Sequence, residues 1–156
     1  LRVCALRLTN VYGPRMRVRD ARQTFLGVWL KAVVRGERFE VWGDGTQRRD
    51  LLYVDDAVQA FLLAGARDEA DGQVFNVGVD SSVSLRELAE LLVRLHGSGA
   101  YDLVSFPRER RAIDIGDYFT CADKIRAALG WEARVPLEEG LRRTLAYYDE
   151  HGDAYW

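Results

Sequence analysis

The chain has 156 residues, 48% hydrophobic and 29% charged, which suits one folded domain of ordinary size and excludes a disordered chain. Lysine plus arginine (22) against aspartate plus glutamate (24) leaves a net charge of −2, against the basic excess of a nucleic-acid-binding module, and no apolar run approaches the ~18–20 residues of a membrane-spanning helix. Two cysteines, Cys4 and Cys121, exclude a disulfide framework and a CxxC zinc site; reduced thiols in a cytoplasmic protein are expected.

Residues 1–8, LRVCALRL, read as a strand leading into the turn-like TNVYGP. A buried parallel strand needs neighbours on both sides, so the chain is expected to be a fragment of a longer working protein. After Pro14 comes the arginine-studded RMRVRDARQ, then an apolar helical stretch over about 24–34, closed by Gly36. Residues 39–42 read as a strand, Gly43, Asp44 and Gly45 as a turn, and residues 49–54 as a second strand. Asp55 is expected to cap a helix that runs to about Ala66, with Val58 and Leu62 on its apolar face. VFNVGV is an apolar strand. Ser84 and Glu87 form a capping box. The helix they start carries Leu85, Leu88, Leu92 and Leu95 on one stripe and stops at Gly97. Residues 101–106 read as a strand, RERRAIDIGDYF as extended chain or loop, and residues 122–129 as a short helix ending at Gly130. Pro136 opens a last helix whose Leu137, Leu141, Leu145 and Tyr148 face the core. Gly140 inside it costs roughly 1 kcal/mol relative to alanine. Strands alternating with helices give an α/β fold.

No glycine-rich dinucleotide turn, P-loop, HExxH or GxSxG is present, and no catalytic or metal-ligating set is assigned. His96 and His151 stand near expected helix ends beside glycines, which suggests surface positions. Lys31 and Lys124 are the only lysines. The arginine bias suits a phosphate ligand, and a GC-rich genome would produce it equally well. Three segments could carry chemistry. Asn10 sits at the C-terminal end of a strand, where α/β proteins bind ligands; alternatively it bonds only its own turn. In GDGTQRRDLLYVDD, alternation turns one of Arg48 and Arg49 inward, where it needs an anion: Asp50, Asp55 or a ligand phosphate. In RERRAIDIGD, Arg111 and Asp114 could act on one ligand, as phosphate and ribose contacts, or lie in a solvated charged loop.

In order along the chain stand NVYGP, VWGDGxQxRDxxYVxD, FNVG, an arginine-rich segment ending in GD, and a short helix closing on LGW. Together, over residues 1 to about 148, they resemble the C-terminal half of the extended short-chain dehydrogenase/reductases, specifically their NAD-dependent sugar-nucleotide epimerases and dehydratases. The resemblance implies a small sugar-nucleotide-binding α/β domain (residues 15–71 and 81–150), the last strands of a truncated Rossmann-type sheet (1–14 and 72–80), and a tail (151–156). The family's glycine-rich NAD turn and Tyr-x-x-x-Lys pair do not occur in this chain. NAD is therefore expected in the full-length parent, and neither NAD binding nor turnover in the chain alone.

The resemblance places Asn10 on the phosphate or sugar, and Gln23 and Thr24 at the diphosphate, in a stretch that departs from the family pattern. It places Glu40 and Trp42 at the nucleobase, Arg49 and Arg111 on two sides of the diphosphate, and Asp114 on the ribose. Tyr12 would lie toward the cofactor. The implied ligand is a UDP- or dTDP-sugar, and the implied parent activity is 4-epimerisation through a 4-keto intermediate, with 4,6-dehydration or decarboxylation as alternatives. A non-catalytic binding module is the reading from another class. Uncovered apolar surface and strand edges further suggest self-association into a homo-oligomer.

Overall fold

Short apolar runs set the strands and amphipathic stretches the helices. The computed structural model describes residues 1–19, 24–107 and 115–156. Strand β1 (Ala5–Leu8) is shorter than the apolar run that announces it. Residues before it are tied from the side instead: Gly72 N donates to Val3 O, and Arg2 pairs with Asp68 and Asp71. β1 runs parallel to β6 (Val74–Val77), with Leu6 opposite Phe75. β2 (Asn10–Tyr12) runs parallel to β5 (Leu51–Tyr53), and β3 (Arg38–Trp42) to β8 (Ala100–Val104). β4 (Arg48–Arg49) pairs antiparallel with β7 (Val83–Ser84). The strand expected over 49–54 is thus split at Asp50. Arg48 and Arg49 pair with β7, Leu51 to Tyr53 pair with β2, and the intervening carboxylate is buried.

The helices are α1 (Phe25–Val34), α2 (Val54–Ala66), α3 (Leu85–His96), α4 (Asp123–Leu129) and α5 (Leu137–His151). Thr24 caps α1, its Oγ1 accepting from Gly27 N at 3.3 Å. Ser84 and Glu87 form the expected capping box on α3, and Gly97 ends that helix at φ 82°, the left-handed region open to glycine. Asp55 does not cap α2. β5 passes directly into the helix, so Tyr53 is the N-cap and Asp55 falls in the first turn, where the helix dipole still favours its charge. Pro136 occupies the N-cap of α5 rather than its first turn.

Two apolar clusters hold these elements. One lies between α1, β3, α3 and α5, around Leu30, Val41, Leu88, Leu92 and Leu141. The other joins β6 to α2 and α4 through Phe75, Val77, Ala60, Ile125 and Trp131. Leu85, Leu95 and Leu137 sit at the edge of the first cluster, only partly buried. Gly140 has a packing reason: a Cβ there would collide with the Tyr12 hydroxyl and stand 2.8 Å from Tyr53 Cδ2. Among the described residues no helix is long and apolar enough to cross a membrane.

Candidate functional site

Four of the expected site residues, Glu40, Trp42, Asn10 and Arg49, fall in two groups on either side of the Gly43–Gln47 turn. The first lies at the end of the β3–β8 pair. Gly43 N donates to Val104 O at 2.8 Å, extending the ladder by one bond. The Trp42 and Phe106 rings meet edge to face, centroids 5.7 Å apart. Trp42 is half-buried, so part of its ring still faces outward. Its Nε1 donates to Glu40 Oε2 at 3.3 Å, while Trp29 Nε1 donates to the Glu40 carbonyl at 3.1 Å. Glu40 is therefore held at backbone and side chain, with an exposed carboxylate beside an aromatic surface.

The second group forms where residues 116–120 run alongside β4. Tyr118 N donates to Arg48 O at 3.0 Å, and Arg48 N donates to Asp117 Oδ1 at 2.8 Å. Arg48 and Arg49 leave the strand in opposite directions, as the pleat requires. Arg48 reaches Ser82, with Nε 2.9 Å from Ser82 Oγ, and Glu87, 3.7 Å away. Arg49 Nη1 donates to Arg48 O at 2.8 Å and to Gly116 O. One guanidinium nitrogen on two backbone carbonyls fixes the plane of the fork, which matters for bidentate recognition of an anion.

The aspartates offered as counter-ions for this arginine have other partners. Asp50, 0% exposed, accepts from Thr9 Oγ1 and from Thr120 N at 3.1 Å. Asp55 lies 4.0 Å from Arg143. Asn10 does not bond its own turn: its Nδ2 donates across the sheet to Asp50 O at 3.2 Å. Asn10 and Arg49 thus flank the same buried residue. Thr24 is engaged as the cap of α1. Tyr12, 1% exposed, sits in the core with its hydroxyl donating to Leu137 O at 3.2 Å, and burial pushes its phenol well above the ordinary tyrosine range. Its side chain has no surface left for a ligand. Gln23, Arg111 and Asp114 lie outside the described residues.

His96 is largely, not fully, covered. Its ring, 15% exposed, lies between Ser98 Oγ at 2.6 Å and Asp149 Oδ1 at 2.8 Å. His151 remains half-exposed. Sequence reasoning missed Phe106, whose only signal was an apolar run, and the structural use of Asp50, signalled by a lone carboxylate in front of LLYV. Among the described residues no His, Cys, Asp or Glu cluster could hold a metal ion.

The profile of the NAD dependent epimerase/dehydratase family matches residues 1–78. The chain belongs to that family. It is 33% identical over 139 residues to UDP-glucose 4-epimerase of Mycolicibacterium smegmatis, covering 89% of this chain and 43% of that protein. It is 35% identical over 148 residues to UDP-glucuronic acid decarboxylase 1 of Xenopus tropicalis, covering 91% of this chain and 32% of that protein. Among solved structures, UDP-glucose 4-epimerase from Thermotoga maritima with UDP-glucose superposes with a TM-score of 0.81 at 34% identity, over 93% of this chain and 45% of that one. The chain spans less than half the length of these relatives, and all of them bear the names of nucleotide-sugar proteins.

Proposed function

We propose that this chain is the sugar-nucleotide-binding part of an NAD-dependent epimerase that acts on a UDP- or dTDP-sugar. The reading rests chiefly on Arg49, whose guanidinium is oriented by two backbone carbonyls within hydrogen-bonding range of residues 116–120. A nucleoside diphosphate carries about two negative charges, and a pre-oriented arginine fork meets them with little loss of side-chain freedom. Arg111 would approach the same diphosphate from the other side, and Asp114 would accept from the ribose hydroxyls. The Trp42 ring, braced by Phe106, would offer a face for uracil or thymine, and Glu40 beside it would accept from the base. Asn10 would reach the phosphate through the second hydrogen of its amide nitrogen, the first being engaged with Asp50, or a sugar hydroxyl through its amide oxygen. Gln23 and Thr24 would meet the diphosphate, Thr24 through its backbone because its hydroxyl caps α1.

In this arrangement the chain holds the non-reacting handle of the substrate, and binding energy spent there orients the sugar. β1 and β6 would be the last strands of the nucleotide-binding sheet. NAD would be held chiefly by residues outside this chain, since the sequence after β2 carries no glycine-rich dinucleotide turn. Cofactor binding and hydride chemistry are assigned to the part of the protein that this chain does not span. The parent reaction is proposed as 4-epimerisation through a 4-keto sugar; decarboxylation is the second reading, favoured by the equal likeness to the Xenopus tropicalis enzyme.

Calorimetric titration of UDP and dTDP into the intact protein tests the binding role. Arg49→Ala is expected to weaken the tighter of the two about 10- to 100-fold, as loss of hydrogen bonds to a charged group does. Unchanged affinity removes Arg49 from the site.

A further inference from the structure

We infer that Asp50 is a positioning residue for phosphate binding, holding residues 116–120 in the register that aims Arg49. The inference rests on the proposed nucleotide-binding role of Arg49 and extends it to a group that would touch no ligand.

Residues 116–120 meet β4 and Asp50 at alternate positions. Gly116 O accepts from Arg49 Nη1, Tyr118 N donates to Arg48 O, and Thr120 N donates to Asp50 Oδ2. The first contact orients the guanidinium; the last is the anchor farthest along the segment. If the segment slid by one residue, the carbonyl facing Arg49 Nη1 would be replaced by one pointing the other way. Asp50 resists that slide because its other oxygen is fixed independently: Thr9 Oγ1, on the link between β1 and β2, donates to Oδ1. The carboxylate therefore clamps a donor from each of two chain segments.

The chemistry of the position fits this use. Both partners are donors, and an ionised carboxylate is acceptor-only, so neither oxygen faces another acceptor. An aspartate 0% exposed at the start of an apolar strand persists only when so satisfied. The cage is also closed sterically. A Cβ on Gly78 would stand 2.7 Å from Asp50 Oδ2 and 2.5 Å from Thr120 Cβ, so the FNVG glycine leaves room for the clamp. Asn10 Nδ2 on the Asp50 carbonyl ties the same residue to β2. TNVYGP, through Thr9 and Asn10, and FNVG, through Gly78, thus both meet this residue of the GDGTQRRDLLYVDD segment.

The test compares UDP with uridine, which lacks the diphosphate, in the intact protein, by calorimetry and by NMR titration. Asp50→Ala is expected to weaken UDP about tenfold and to leave uridine unchanged. Asp50→Asn, which can still accept from Thr120 N while its amide donates to the Thr9 hydroxyl, should restore UDP affinity to within about threefold of the natural protein. Should Asp50→Ala fail to fold, Thr9→Val decides: it removes one of the two clamped donors and should cost UDP a few-fold and uridine nothing. Equal loss for both ligands, or none for UDP in a folded variant, overturns the inference. Arg49→Ala measured in parallel separates the two claims. If that variant binds UDP normally, the phosphate role itself fails; if it binds poorly while the Asp50 and Thr9 variants bind normally, only the positioning role fails.

Discussion

Gly140 reads from sequence as a simple liability, a glycine in a helix. Its neighbours reverse the sign. The Tyr12 hydroxyl and the Tyr53 ring press on the helix where a Cβ would project. Gly140→Ala gains roughly 1 kcal/mol of helix propensity but forces two buried aromatics apart, at a cost of about 1–3 kcal/mol. A lower urea midpoint for the variant is expected; a higher one would mean that Tyr12 yields easily. Asp50 shows the same limit of sequence reading. An arginine followed by an aspartate suggested an ion pair, since charge is the most visible property of both residues. The donors that Asp50 meets, Thr9 and Thr120, are 41 and 70 positions away, and nothing local signals them.

Elements with local causes were legible. The Ser84–Glu87 box, the glycine after α3 and the apolar stripes of α3 and α5 all follow from spacing within a few turns. The start of α2 was misplaced by a residue or two because β5 enters it without a loop, so no capping side chain was needed. The capping box also carries a pH dependence. Hydrogen bonds from the backbone and side chain of Ser84 hold the Glu87 carboxyl below its ordinary range. Stability from its ionised form is present above the unfolded-state value and fades as pH falls through the lower folded value. Glu87→Gln should therefore lose less stability than the natural protein between about pH 6 and about pH 3. Parallel stability profiles in denaturant would contradict this.

At the scale of the molecule, the α/β class and the nucleotide-sugar resemblance were readable because the motifs recur in fixed order, whereas pairing and register are long-range properties. The described surface also leaves apolar residues uncovered: Phe61 (54%) and Leu62 (60%) lie on α2 with Val58, and Leu1 and Val3 precede β1. This chain on its own is expected to self-associate, seen as a concentration-dependent mass in sedimentation, and Phe61→Glu with Leu62→Glu should reduce it. A monomer at high concentration in the natural sequence would count against that. The central claim is that two arginines far apart in sequence converge on one diphosphate. It is tested most directly by titrating UDP into the intact protein and its Arg49→Ala, Arg111→Ala and doubly substituted forms. The account predicts a loss of about tenfold or more for each single change and a double variant that binds UDP no better than uridine. Affinity for UDP that survives both substitutions would contradict it.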